Sequence, residues 1–81
     1  MPTEIRLRGL RVEIYTNDHR PAHVHVNGKG RCAVFHLNCP MGPPELREVR
    51  GFSLLEMSQL VRDLLAFVPR LCRRWGENHG H

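Results

Sequence analysis

The residues with the clearest chemical potential lie within one nine-residue segment, residues 17–25, which reads NDHRPAHVH. Histidine titrates near neutral pH and binds metal ions, so three imidazoles this close together form a candidate site. His23 and His25 are separated by one apolar residue, which is strand spacing and predicts both rings on one face of a sheet. The segment therefore predicts a functional face, but it does not specify a reaction.

Acid–base catalysis is one chemistry that these residues could perform. Asp18 could orient His19 or His23, and an imidazole held in this way could take a proton from a ribose hydroxyl. Asp18 also has a simpler explanation, because aspartate stabilises turns by bonding nearby backbone groups. Arginine and tyrosine side chains could bind a phosphate and stabilise its charge. The catalytic candidates are Asp18, His19, His23 and His25, and the binding candidates are Tyr15, Arg20, Arg31 and His36.

Metal binding is a second chemistry. His23 and His25, together with His36 or Cys32, could supply three ligands to zinc or a similar ion. The sequence contains no CxxC pair, and no carboxylate lies at standard zinc spacing. We therefore predict neither a bound metal nor another cofactor.

Length and charge limit the classes of protein. Eighty-one residues predict one domain, 1–81, with a thin core that dimerisation could supplement. The formal net charge is +4, and eleven of the twelve Lys and Arg residues are arginine. Arginine suits phosphates and carboxylates, so the balance favours RNA or an acidic protein as partner. A merely soluble surface explains so small an excess equally well.

Cysteine usage and the start of the chain bear on location. Three cysteines are an odd number, which predicts reduced thiols, with Cys39 and Cys72 acting as small apolar fillers. No signal peptide is visible, and no apolar run is long enough to cross a bilayer. We expect a cytoplasmic protein without a membrane partner.

Alternation of apolar and polar residues predicts strands over 10–16, 22–27 and 31–37, with 45–50 as a short edge strand. If Gly28 and Lys29 form the turn of the hairpin, His25 lies opposite Cys32 and His23 opposite Val34. One face then carries His23, His25, Cys32, Val34 and His36, and the other carries Val24, Val26, Ala33, Phe35 and Leu37. The second face is the predicted core.

A helix follows the strands. Ser53 and Glu56 match a capping box, and apolar residues then recur at helical spacing from Met57 to Val68. Pro69 should kink the helix or restart it. The predicted fold class is α+β, a three- to four-stranded antiparallel sheet with a kinked C-terminal helix packed on one face. The histidine face stays open.

Three segments resemble a family of small bacterial proteins, domain-of-unknown-function family 4160: residues 10–15, the N-D-H-x-P-x-H-x-H motif of 17–25, and residues 30–33. The tail 75–80 is similar to the tryptophan-containing end of that family. The chain departs from the family pattern at Ala22 and Val24 within the motif. The resemblance implies a small cognate partner protein, because members are suspected toxin–antitoxin components. By this resemblance Asp18, His19, His23 and His25 are the functional residues.

Three functions stay open at this point. The first is a toxin–antitoxin-type module that binds or cleaves RNA or binds a partner protein. The second is a non-catalytic structural or interaction domain, and a homodimer is a possible partner arrangement in either case. The third is a metal-binding protein that uses the face of His23 and His25.

Overall fold

The computed structural model describes residues 3–15 and 19–79. Within these residues, five strands form one antiparallel sheet in which each strand lies next to its predecessor in the chain, and two helices follow the sheet. The elements are β1 (Thr3–Leu7), β2 (Leu10–Glu13), β3 (His23–Gly28), β4 (Arg31–His36), β5 (Glu45–Arg50), α1 (Leu54–Leu65) and α2 (Val68–His79). The α+β class is as predicted, and the sheet is larger than the predicted three or four strands.

The strand that we did not predict is β1. A two-residue hairpin turn joins β1 to β2, and its residues Arg8 and Gly9 have φ angles of 53° and 76°. A type I′ turn needs positive φ at both central residues, and it joins antiparallel strands tightly. Leu7 therefore pairs directly with Leu10, and a short alternating segment becomes an edge strand of the sheet.

The turn between β3 and β4 lies one residue later than predicted. Its central residues are Lys29 and Gly30, both with positive φ, and Gly28 pairs with Arg31. His25 therefore lies opposite Val34 instead of Cys32, and His23 lies opposite His36 instead of Val34. The predicted register is wrong by two residues along β4. An even shift leaves each side chain on its predicted face, because side chains alternate with a period of two.

One face of the sheet is the core, as the sequence predicts. Side chains of β2, β3 and β4 on this face pack with both helices in one cluster, and Val61 packs against its side. The buried members are Leu10, Val12, Ile14, Val24, Val26, Ala33, Phe35, Leu37, Met57, Leu60, Leu64, Val68, Leu71 and Trp75. Both helices pack on this face, and most side chains of β2–β4 on the opposite face are at least partly exposed. The predicted open face is closed at two positions, because His23 packs against Trp75 of α2 and Glu13 is also buried.

The predicted kinked helix is two helices. Ser53 caps α1 with the expected capping box. The pKa of Glu56 is lowered below its usual range, because its carboxylate accepts hydrogen bonds from the Ser53 backbone N–H and from the Arg31 guanidinium. The Phe67 N–H bonds to the Leu64 carbonyl, which tightens and ends α1. Pro69 then lies in the first turn of α2, where its missing N–H costs no helical hydrogen bond.

The cysteines differ from the expectation of reduced thiols. Cys39, after β4, forms a disulfide with Cys72 of α2, and their Cα atoms are 5.7 Å apart. The expectation that both act as apolar fillers is wrong, because the return of α2 toward the end of β4 brings together residues 33 positions apart. Cys32 is a free, half-buried thiol. Across residues 3–15 and 19–79, no helix is long and apolar enough to span a bilayer.

Candidate functional site

A cleft of about 540 Å³ lies where β3 begins and β4 ends. His23 is the first residue of β3 and pairs across the sheet with His36, the last residue of β4. The segment before β3 and the middle of β5 complete the walls. The lining residues are His19, Arg20, Pro21, His23, His36 and Arg47. None of these six is acidic, so the cleft is a concentration of positive and titratable groups. We refer to it as the histidine cleft.

His23 is held firmly in this cleft. Its side chain is 4% exposed, its ring packs 5.1 Å from that of Trp75 between centroids, and its Nδ1 lies 2.8 Å from the Pro21 carbonyl oxygen. A carbonyl oxygen only accepts hydrogen bonds, so Nδ1 donates and carries the proton of the neutral ring. Nε2 is then the nitrogen with the lone pair, which is the arrangement that a general base needs.

His36 faces His23 across the two strands. Their ring centroids are 6.5 Å apart, with the ring planes at 74°. His36 Nδ1 is buried and has no hydrogen-bond partner within the described part of the chain. A buried polar atom without a partner costs stability, and such atoms in native proteins call for an explanation. A functional role for the ring in the cleft is one such explanation.

His25 lies outside the histidine cleft, although the sequence groups it with His23. Its ring stacks on that of Tyr15, with centroids 4.0 Å apart, and meets the His23 ring edge-on at 5.3 Å. The Tyr15 hydroxyl accepts a hydrogen bond from Asn27, which also donates to the nearly buried carboxylate of Glu13. Tyr15 and His25 thus form a rigid wall beside His23, which suits a positioning role better than direct contact with a ligand.

Arg31, another predicted site residue, is not brought to the cleft. Arg31 pairs with the Glu56 carboxylate, and its guanidinium lies 4.6 Å from the centre of the Phe52 ring. These contacts hold Arg31 against the start of α1, away from His23. Asp18 lies outside the described residues, so its predicted role stays a prediction. Three other residues that the sequence analysis names as site candidates, His19, Arg20 and His36, do line the cleft.

Arg47 is the cleft residue that the sequence interpretation missed. A β-bulge interrupts the β4–β5 ladder, because Val34 pairs with Glu48 whereas Phe35 pairs with Leu46. The bulge leaves Arg47 as the extra residue and brings it into the wall of the histidine cleft. Bulges commonly re-aim a side chain in this way. The signal was present in the sequence, since apolar residues at 46 and 49 are three positions apart in a strand.

The described residues contain no preformed metal site. Within residues 3–15 and 19–79, no group of three or more His, Cys, Asp or Glu side chains is arranged to hold an ion. In the β3–β4 ladder Cys32 pairs with Asn27, whereas His25 pairs with Val34. Cys32 is therefore not directly opposite His25, as the predicted register had placed it.

We expect zinc or a chelator to change the melting temperature by less than a few degrees, because a metal stabilises a fold only when the folded state binds it. Thermal unfolding followed by circular dichroism measures this. A large increase with zinc that disappears in both His23→Ala and His25→Ala would contradict the expectation.

The geometry defines a small α+β protein whose open sheet face ends in a cleft of histidines and arginines. Residues 9–75 match the family model described as Domain of unknown function (DUF4160). The chain therefore belongs to this family, as the sequence resemblance predicts. No curated protein and no solved structure matches the chain.

Proposed function

We propose that this protein binds RNA through the histidine cleft and cleaves it by metal-independent acid–base catalysis. The observation that carries the proposal is the composition of the cleft, in which three histidines and two arginines converge without an acidic lining residue. Such a site attracts an anion, and arginine donates hydrogen bonds in a geometry that matches phosphate oxygens. The net charge of +4 favours the approach of a polyanion over longer distances.

The distance between the two imidazoles supports a phosphodiester as the ligand. Hydrogen bonds from a ring nitrogen to a phosphate oxygen are about 2.8 Å long. Rings with centroids 6.5 Å apart can therefore contact the same phosphate group. Arg20 and Arg47, on the other walls, would bind its remaining oxygens and stabilise the charge that develops there.

The proposed reaction is an internal transfer within the RNA. His23 Nε2 takes the proton of a ribose 2′-hydroxyl, and the 2′-oxygen forms a bond to the adjacent phosphorus. The bond from phosphorus to the 5′-oxygen breaks, and that oxygen takes a proton from His36. The products are a 2′,3′-cyclic phosphate and a free 5′-hydroxyl. No oxidant, metal or second substrate is needed, and general acid–base catalysis of this kind contributes about 10²–10⁴-fold.

The cellular role within this proposal is that of a toxin–antitoxin component, with a small cognate protein that controls the RNA-directed activity. The small size, the basic surface and membership of the family support it. Co-purification with the product of the adjacent gene would test the partner.

The binding step can be tested by replacing both cleft arginines. We expect Arg20→Ala/Arg47→Ala to weaken binding of a short single-stranded RNA roughly tenfold or more, because two phosphate contacts are lost. The slope of log K against log salt should fall in magnitude by about 1.4, or about 0.7 for each lost contact. Fluorescence anisotropy with a labelled oligonucleotide at several salt concentrations measures both quantities.

The matched control is Arg62→Ala/Arg73→Ala, which removes the same charge from exposed positions on the two helices. We expect it to change affinity much less than the cleft variant. Equal weakening by the two double variants would mean that RNA senses only the net charge, and the histidine cleft would not be the binding site. Measurements with and without dithiothreitol show whether the Cys39–Cys72 disulfide matters for binding.

A further inference from the structure

We propose that β5 is a self-association surface, which pairs with β5 of a second copy of this chain as a symmetric antiparallel strand pair. β5 is the last strand of the sheet, so only its β4 side is paired within the described residues. All six of its residues, Glu45–Arg50, are exposed. This inference concerns the outer edge of the sheet, which shares Arg47 with the wall of the histidine cleft, and it does not depend on the activity proposed for that cleft.

The sequence of β5, ELREVR, is complementary to itself when two copies run antiparallel. Glu45 of one copy then faces Arg50 of the other, Leu46 faces Val49, and Arg47 faces Glu48. Every charge meets its opposite and every apolar residue meets an apolar residue. Opposite charges directly across two strands stabilise the pair, and like charges destabilise it.

The bulge makes this pairing compatible with two-fold symmetry. A two-fold axis perpendicular to the sheet keeps the open faces of both copies on one side, so opposed residues must share a face. In a regular strand, positions 45 and 50 would lie on opposite faces. The bulge adds one extra residue, Arg47, between them, so Glu45 and Arg50 lie on the same face. Glu45, Glu48 and Arg50 pair with the open-face residues His36, Val34 and Cys32, whereas Leu46 and Val49 pair with the core-face residues Phe35 and Ala33.

The exposure of two apolar residues of β5 favours a partner chain at this edge. Leu46 and Val49 belong to the core-side face of the sheet, yet they are 43% and 45% exposed. A second copy would place Val49 against Leu46 and Leu46 against Val49, which removes apolar surface from water. Charges and bulges usually protect an edge from pairing, but here the order of the charges favours one partner, which is the same strand in reverse.

The dimer would have a consequence for the histidine cleft. Arg47 lines the cleft and, with Glu48, lies next to the proposed two-fold axis. Both clefts would then open on the same face of a ten-stranded sheet, one on each side of the axis. A single extended polyanion could contact both.

Charge reversal tests the pairing, with sedimentation equilibrium as the readout. We expect the wild type to associate to twice the monomer mass as concentration increases. Glu45→Arg and Arg50→Glu should each weaken self-association by at least about tenfold, because each places two like-charge pairs across the interface. An equimolar mixture of the two variants should dimerise again, because the arginines of one face the glutamates of the other.

Two further variants control for folding and charge. Glu45→Arg/Arg50→Glu restores complementarity within one chain and should dimerise like the wild type. Arg62→Glu changes the net charge as Arg50→Glu does, at an exposed site on α1, and should leave the dimer intact. A wild type that stays monomeric at every concentration overturns the proposal and leaves the edge to a different protein. Variants that dimerise alone, or a mixture that stays monomeric, overturn it as well.

Discussion

We expect His23→Asn to reduce the rate of RNA cleavage by about 10²–10⁴-fold, the usual contribution of a general base. The asparagine amide can still donate to the Pro21 carbonyl, which His23 Nδ1 contacts at 2.8 Å in the wild type. It has no basic nitrogen in place of Nε2, so the local structure is retained while proton transfer is lost. The measurement is the initial rate of cleavage of a fluorogenic RNA with a chelator present.

Three comparisons make this result specific. His36→Gln should cause a loss of similar size, because the proposed acid is removed. His25→Asn should cost much less, since His25 stacks on Tyr15 outside the histidine cleft. Binding of RNA, followed by anisotropy, should persist in His23→Asn. Full activity in a folded His23→Asn variant would be incompatible with His23 as the base. A wild type that binds RNA without cleaving it would refute the catalytic step and keep the binding function.

Leu64→Ala should lower the free energy of unfolding by about 2–4 kcal/mol. Leu64 is fully buried in the cluster that joins both helices to the sheet. Truncation removes apolar contacts and leaves a cavity that a small, thin core has little means to fill. Urea denaturation followed by circular dichroism gives the free energy and its dependence on denaturant.

The neighbouring residue provides a matched control. Leu65 follows in the same helix, has the same side chain and is 46% exposed. Leu65→Ala should therefore cost less than about 1 kcal/mol, since little apolar surface and no cavity are involved. Similar losses at the two positions would show that α1 does not dock on the sheet through the Leu64 side.

The sequence determined the periodic elements and the division of the sheet into two faces. Alternation with a period of two assigned Val24 and Val26 to the core, where both are fully buried, and His23 and His25 to the opposite face. His23 is buried on that face by Trp75, which the sequence did not predict. The predicted register was wrong by two residues, but the assignment to faces stayed correct, because a shift of two residues does not move a side chain to the other face. Ser53 and Glu56 likewise fixed the start of α1 by a local capping box. Both features depend on neighbours in the chain, so sequence alone specifies them.

Tertiary structure decided which of the candidate residues meet. The turn at Lys29 and Gly30 placed His23 opposite His36, and the bulge brought Arg47 to them from a strand more than ten positions away in the chain. Arg31 was removed from the candidate site by its contact with Glu56, 25 residues later.

Cys39 and Cys72 were joined in the same way, by the path of the second helix. The spacing of residues along the chain sets local periodicity, whereas such contacts depend on turn geometry and packing between distant segments. The sequence therefore predicted the face that carries the histidines, and only the fold assembled the histidine cleft on it.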